Sequence, residues 1–235
     1  MAMPEIAMVA ALEREISPLL RHWTAREREY SGRRFRFYES DNTVAVCGGI
    51  GPEAARRATE AVIALYRPAV VQSIGFAGAL NNTLQVGEVL QIRQVVDARD
   101  GSRTDAGSGS AVLVSFSSVA DQSQKASLAK SYDAQAVDME AASVAKGAEA
   151  HGLRFAAVKV ISDELSFPMP PMERFITAAG EFRLASFAVF AALRPWLWPA
   201  VFRLARNSSR ASRRLCEYLE RNPASPTLLR AGVSS

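Results

Sequence analysis

Ala136-Val-Asp-Met-Glu-Ala-Ala142 and Ala157-Val-Lys-Val-Ile-Ser-Asp163 are two apolar runs that each end in carboxylates, and the chain between them is helical in composition. A strand, helix, strand unit of this kind puts acidic side chains at the lip of one parallel sheet. The carboxyl ends of parallel strands are where such sheets bind ligands. Asp138, Glu140 and Asp163 are therefore candidates for chemistry, and their pairing points to an enzyme.

The same alternation extends outward in both directions. Ile6–Ala10 reads as a buried strand, followed by a helix through Leu20 with apolar residues at helical spacing. Phe35–Tyr38 alternates like an edge strand and Val44–Cys47 like a buried one. Gly48-Gly-Ile-Gly51 then breaks the chain before a helix from Pro52 to Tyr66, with proline suited to the first turn. Val70–Ile74 is a further strand that the turn Gly75-Phe-Ala-Gly78 should end, and Val86–Val96 reads as a long strand. The Gly-, Ser-, Asp- and Arg-rich stretch 97–110 is expected as a surface loop or hairpin. Val112–Ser115 resumes the sheet, Ser123–Lys130 is helical, and Glu140–Glu149 is a helix ending near Gly152. Prolines 168, 170 and 171 forbid regular structure before a helix expected to begin near Met172. Crossover helices that cover a mostly parallel, mixed central sheet give an α/β class with three layers, α/β/α. The expected division is a catalytic domain over residues 1–190 and a basic, aromatic-containing helical extension over 191–235.

A chain of 235 residues with 49% hydrophobic and 22% charged residues can bury a full globular core. Cys47 and Cys216 are far apart and suggest neither a metal spacing nor a disulfide framework, so a reducing cytoplasm fits best. No basic segment followed by an apolar run and cleavage site opens the sequence, and no clean apolar stretch of about 18 residues is present, which argues against secretion and a membrane span. The net charge of +4 is local rather than general. From Phe182 to Cys216 there is no Asp or Glu, while seven arginines fall there beside Trp196 and Trp198.

Neither glycine turn carries a full dinucleotide or phosphate-loop pattern. Each reads as a tight strand-to-helix turn or as a close approach of backbone to ligand, the second turn being the better ligand candidate. His22 and His151 are the only histidines and lie on helices without a partner cluster, which argues against a His-based triad or zinc site. Acid chemistry then falls to carboxylates just past apolar strands, Glu13, Glu15, Glu140 and Asp163, where burial raises a carboxyl toward neutral pH. Each has a plain alternative. Glu13, Glu15 and Glu140 suit the first turn of a helix, and Ser162-Asp163 could cap a turn.

Taken together, Ala11-Leu-Glu-Arg-Glu-Ile16, Gly49-Ile-Gly51, Ile74-Gly-Phe-Ala-Gly-Ala-Leu80 with Val86-Gly87, Val137-Asp-Met-Glu-Ala-Ala142 and Val160-Ile-Ser-Asp163 resemble the nucleoside phosphorylase and nucleosidase superfamily over roughly residues 5–190. The motifs are most similar to those of methylthioadenosine/adenosylhomocysteine nucleosidases. The resemblance implies a nucleoside cleft at strand ends. Asp163 then protonates or hydrogen-bonds purine N7, and Glu140 holds ribose hydroxyls with Met139 against the sugar. Glu15 positions and activates water, and Ala77, Gly78, Phe76, Phe116 and Ser162 complete the substrate site. No metal or organic cofactor is implied, and phosphate is the one co-substrate left open, through Arg14. Lys159 stands where relatives often carry arginine.

Two departures narrow the family. Phe76 replaces a small or hydroxyl residue, and between Val96 and Val112 a long insert that walls the base pocket in the nucleosidases is abbreviated to Asp97-Ala-Arg-Asp-Gly-Ser-Arg-Thr104, which opens the 5′ side of the nucleoside. That opening, Val95-Val-Asp-Ala98 with Gly101, and the basic tail resemble the hopanoid-associated phosphorylase branch, whose substrate is adenosylhopane. Pro195-Trp-Leu-Trp-Pro199 with Val201, Phe202, Leu204 and the arginines reads either as an interfacial segment facing anionic lipid or as ordinary packing. The expectations are a cytoplasmic enzyme, peripheral at the inner membrane face, acting on a small or lipid nucleoside, able to form a homodimer and not binding nucleic acid. The rivals are a small adenosine thioether or futalosine as substrate, and a nucleoside-binding protein without turnover.

Overall fold

The computed structural model describes residues 4–107 and 109–222. One sheet organises them. Strands β1 (Ile6–Ala10), β2 (Thr24–Tyr30), β3 (Arg33–Ser40), β4 (Thr43–Cys47), β5 (Val70–Ala79), β6 (Val89–Asp97), β7 (Arg103–Asp105), β8 (Ala111–Ser115), β9 (Ala136–Asp138) and β10 (Arg154–Asp163) run in the order β10-β6-β8-β9-β5-β1-β4-β3-β2, with β7 paired to β6. Strand β10 also pairs with β5, so five strands close into a barrel at one end while the other end stays open. The sheet is mixed. The β4-β1-β5-β10 and β6-β8-β9 pairings are parallel, and β2-β3-β4, β5-β9, β6-β7 and β6-β10 are antiparallel.

Helices α2 (Pro52–Tyr66) and α4 (Ala141–Ala150) cover one face and α1 (Glu13–Leu20) and α6 (Trp198–Arg221) the other. Small residues make this possible. Ala55, Ala58, Val62, Ala141, Ala145 and Ala148 are buried at helical spacing and bring α2 and α4 close against β1, β5 and β10. Helix α3 (Gln122–Tyr132) begins with a capping box in which Asp121 and Gln124 satisfy each other's backbone amides.

Four expectations change. The chain over Gly75–Gly78 is not a turn. It continues β5 in register with β10, because the backbone pairs Gly75 with Lys159, Val160 with Phe76, Ile161 with Ala77 and Asp163 with Gly78. Strand β2 was not foreseen, since Thr24-Ala-Arg-Glu-Arg-Glu-Tyr30 has no apolar face. It is an exposed edge strand pinned to β3 by Arg26–Glu39 at 2.8 Å and Arg36–Glu27 at 3.1 Å. The helix expected near Met172 is a single 3-10 turn, Glu173–Phe175, followed by a bridge between Ile176 and Phe182 around Gly180. Helix α5 (Leu184–Ala192) starts only after that.

The boundary expected at 190/191 falls within packed structure. Ala211, Leu215, Cys216 and Leu219 of α6 share one apolar cluster with Ile6, Met8, Ile16, Ile74 and Val160. The second half of α6 therefore belongs to the third layer, and residues 223–235 of the expected extension lie outside the described residues.

Candidate active site

The carboxyl ends of β5, β9 and β10 and the start of α1 bring the acidic residues together. Asp163 closes β10 and is buried. Its Oδ1 accepts a hydrogen bond from the Ser162 hydroxyl at 2.7 Å, and its Oδ2 accepts one from the Nζ of Lys125 on α3. Lys125, which no motif in the sequence marks, is itself buried and also donates to the Glu164 carbonyl at 3.0 Å. Gly78 makes this approach possible, since a Cβ there would lie 2.9 Å from Asp163 Oδ2 and 3.1 Å from Lys125 Nζ. Asp163 is thus part of a buried ion pair and not a turn cap. A cavity of about 120 Å³ opens beside the pair, lined by Gly78, Lys125, Asp138, Met139, Asp163 and Met169 among others.

Glu15 enters from α1. It is buried, and burial pushes its carboxyl up to about 7 against the opposing charges of Lys159 and Arg14. Its Oε2 has no hydrogen-bond partner among the protein atoms. A Cβ on Gly75 would lie 2.5 Å from that oxygen, and Gly75 has φ +137°, so only glycine lets Glu15 seat against β5. A buried acceptor kept near neutrality and left unsatisfied by the protein is suited to receive a proton from a small polar group.

Glu140 is half-buried at the N-terminus of α4. The capping role goes instead to Asp138, whose Oδ2 accepts from the Ala141 amide at 2.9 Å. Glu140 turns back, accepting through Oε1 from the Gly51 amide at 2.7 Å and through Oε2 from the Met139 amide at 3.2 Å. Burial, and next the charge of Asp138, push it up to about 8. The first glycine turn is therefore a clamp on Glu140, helped by Gly51 at φ 96°.

Lys159 acquires a place. Its Nζ lies 2.9 Å from Asp138 Oδ2 and 3.0 Å from the Ser73 hydroxyl, and its charge pulls both Glu15 and Glu140 down. Asp138 is fully engaged, since it also accepts from Ser115 Oγ at 2.5 Å. It lines the cavity together with Asp163, while Glu15 and Glu140 lie outside that lining.

The remaining expected residues divide. Met139 borders both the Asp163 cavity and a smaller one that Phe116, Ser115 and Pro52 line. Ala77 is buried and its carbonyl lies 3.4 Å from Ser162 Oγ, so it supports the site from behind. Phe76 does not line either cavity. Strand alternation turns it away from Ala77, onto the cluster of Ile74 and Val160. The shortened segment is a hairpin, tied down where Asp97 meets Arg99 at 2.7 Å and Lys146 at 2.7 Å. Burial alone would raise Asp97, but those hydrogen bonds hold it well below the usual carboxylate range. Arg14, the candidate phosphate ligand, stacks 5.7 Å from the ring centre of Phe182. Among the described residues no group of three or more His, Cys, Asp or Glu is placed to share a metal ion.

A mixed α/β sheet with carboxylates gathered at strand ends is suited to hold a ligand at that edge. Residues 5–123 and 111–192 match the model of the Phosphorylase superfamily, and the chain belongs to that family. No curated protein matches it. Among solved structures it is similar to S-adenosylhomocysteine nucleosidase from Streptococcus pyogenes, with TM-score 0.68 and 18% identity over 100% of this chain and 99% of that one. It is also similar to futalosine hydrolase of Helicobacter pylori, with TM-score 0.65 and 20% identity over 93% and 98%. The 5′-methylthioadenosine/S-adenosylhomocysteine nucleosidase of Helicobacter pylori matches with TM-score 0.65 and 19% identity over 94% and 100%.

Proposed function

We propose that the chain cleaves the N-glycosidic bond of a purine nucleoside and releases adenine, with water as the preferred nucleophile. The observation that carries this is the convergence of Glu15, Glu140 and Asp163, supported by two buried lysines, at one set of strand ends. Departure of the base breaks the C1′–N9 bond and sends its electron pair into the purine ring, which Asp163 relieves by giving a proton to N7. That proton reaches Asp163 from Lys125 across their hydrogen bond at Oδ2, and water returns one to Lys125 after the base has left. The sugar is left as an oxocarbenium ion, the kind of charge that a nearby carboxylate stabilises. Glu140 holds the ribose hydroxyls, Met139 packs against the ring, and water bonds to C1′ as its proton passes to Oε2 of Glu15. Since Glu15 acts as a base and sits near 7, turnover should rise with pH through about that value.

The favoured substrate is adenosylhopane, which assigns the enzyme to hopanoid lipid biosynthesis at the cytoplasmic side of the membrane. The short hairpin after β6 supports this reading, because it leaves the 5′ side without a long wall. The stacking of Arg14 on Phe182, beside an acidic rather than a glycine-rich turn, favours hydrolysis over phosphorolysis. The second reading is a small adenosine thioether or futalosine, favoured by likeness to nucleosidases and to futalosine hydrolase.

The test is adenine release from adenosylhopane in detergent micelles, with and without phosphate, against methylthioadenosine. Release from the lipid nucleoside alone supports the favoured substrate, and a phosphate requirement would replace hydrolysis by phosphorolysis. Release from methylthioadenosine alone moves the chain to the second reading. No adenine from either would leave a nucleoside-binding protein.

A further inference from the structure

Hydrophobic side chains normally leave the surface once a core is available. Here every exposed large apolar side chain among the described residues falls within one stretch of 19 positions: Leu184, Val189, Leu193, Trp196, Trp198 and Phe202. Leu193 and Trp196 are each 72% exposed and Phe202 is 70% exposed, so these side chains stand out from the protein rather than fill gaps in it.

The stretch is a built wedge. Helix α5 is almost wholly apolar, yet only Phe187 and Ala191 are buried. Phe175 meets Phe187 at 5.4 Å and Phe190 at 5.2 Å between ring centres, which roots α5 on the segment that follows the active site. The bend into α6 is 111°, locked by Trp198 Nε1 donating to the Ala191 carbonyl at 3.0 Å and by Arg194 stacked 3.8 Å over Phe190. Among the described residues no single helix is long and apolar enough to cross a membrane. A bent, one-sided apolar wedge is suited instead to lie in an interface.

Charge supplies the second half of the argument. At 100° per residue, Trp198, Phe202, Arg206 and Arg213 share one face of α6, aromatic at its start and cationic about 12 Å further along. Arg206, Arg210 and Arg213 border a cavity of about 570 Å³ with Asn81 and Gln85 and have no ion pair among the described residues. Its one carboxylate, Glu164, faces Arg203 at 3.6 Å. Aromatics at headgroup depth with free guanidiniums behind them complement a layer of lipid phosphates.

We infer that α5 and the first half of α6 dock the protein on an anionic phospholipid bilayer, with Leu193, Trp196 and Phe202 inserted and Arg206, Arg210 and Arg213 on headgroup phosphates. The surface deepens the lipid-nucleoside reading and rests on it only for what is delivered. Arg203 joins the two regions, since it binds Glu164, the neighbour of Asp163, and stacks 4.6 Å from Phe167. An amphiphilic nucleoside held at the interface would thus meet the site from its own leaflet.

The test is co-sedimentation of the full chain with phosphatidylcholine vesicles, with and without phosphatidylglycerol, in the absence of any nucleoside. Binding is expected only with phosphatidylglycerol and is weakened by salt. Arg206→Ser/Arg213→Ser should weaken it ~30-fold, two charges at roughly fivefold each. Leu193→Ser/Trp196→Ser should weaken it by more than about tenfold. Both variants should melt like the parent protein. Absence of binding to phosphatidylglycerol vesicles at low salt overturns the inference. So does a dimer that Leu193→Ser/Trp196→Ser dissociates without vesicle binding in either form, which would give the wedge to a second copy. Binding to a DNA oligomer but not to vesicles also overturns it. Vesicle binding without adenine release would leave the docking surface and remove the proposed activity, and the converse would do the reverse.

Discussion

The strand-end cluster and the α5–α6 wedge depart from ordinary partitioning in opposite directions. At the first, Glu15, Asp138, Asp163, Lys125 and Lys159 are buried charged residue types; at the second, Leu193, Trp196 and Phe202 are exposed apolar ones. Both departures oppose folding, one through desolvation and the other through apolar surface left in water. They differ in how they are supported. The members of the cluster are held variously by strand register, by glycine clearance and by counter-ions, so a small change there should be felt by its neighbours. The wedge is rooted through Phe187, Phe190 and Trp198 while its outer side chains touch little, so those can be altered without cost to the fold. Burial of charge marks a place where chemistry needs defined geometry, and exposure of apolar surface marks a place where the partner supplies the burial.

The sharpest way to break this contrast is at Asp163. Asp163→Asn should reduce kcat by about 10²- to 10⁴-fold with little change in nucleoside Kd, and unchanged turnover would remove Asp163 from the mechanism. Lys125→Met should fall in the same range. The double variant should lose little more than either single one, because the two residues act as a unit.

Glu15→Gln separates activity from stability. The carboxyl is raised from 4.5 to about 7 by burial, so the folded protein holds a proton that the unfolded chain releases between those values. Stability from this group is therefore full below pH 4.5 and declines as pH rises toward 7. Glu15→Gln should abolish turnover yet gain about 3 kcal/mol over the parent at pH 8 relative to pH 4, measured by urea unfolding. A variant that is no more stable at pH 8 would mean that the carboxylate is better solvated than its surroundings indicate.

A smaller effect is expected at Gly75. Gly75→Ala puts a Cβ 2.5 Å from Glu15 Oε2 and a side chain at φ +137°. The expected loss is about 1–3 kcal/mol with reduced kcat. The least effect on folding belongs to the wedge, where Leu193→Ser should change unfolding free energy by no more than about 0.5 kcal/mol. A larger loss by thermal melting would mean that the wedge is core after all.

Much of the framework was legible because it follows local periodicity. The runs at β1, β4, β8 and β10 are short, apolar and β-branched or alanine-rich, and the helices between them carry apolar residues at helical spacing. Strand β2 was not legible, because its pairing depends on ion pairs to β3 and not on a buried face. Gly75–Gly78 was misread because glycines inside a strand look like a turn until a partner strand is known. Among candidate site residues, Glu15, Glu140 and Asp163 stand out together with Glu13 by their place just past apolar runs, and only the family resemblance separates them from Glu13. Lys125 could not, since on α3 it resembles any solvated helix lysine. The one available signal was its position on the helix between β8 and β9, which returns toward the strand ends.

The sequence by itself determined the alternation of strands and helices, the carboxylates at the strand ends, and the absence of acids between Phe182 and Cys216, because each is a property of neighbouring residues. Only the tertiary structure decided that β5 runs through its glycines and that Gly51 clamps Glu140. The same is true of Lys125 and Lys159, which balance the buried acids, and of the half of α6 that joins the core while the other half shows its aromatics to solvent. Those features depend on contacts between residues far apart in the chain, and the free energy of burying or exposing a charge or an aromatic ring is set by what the fold brings beside it.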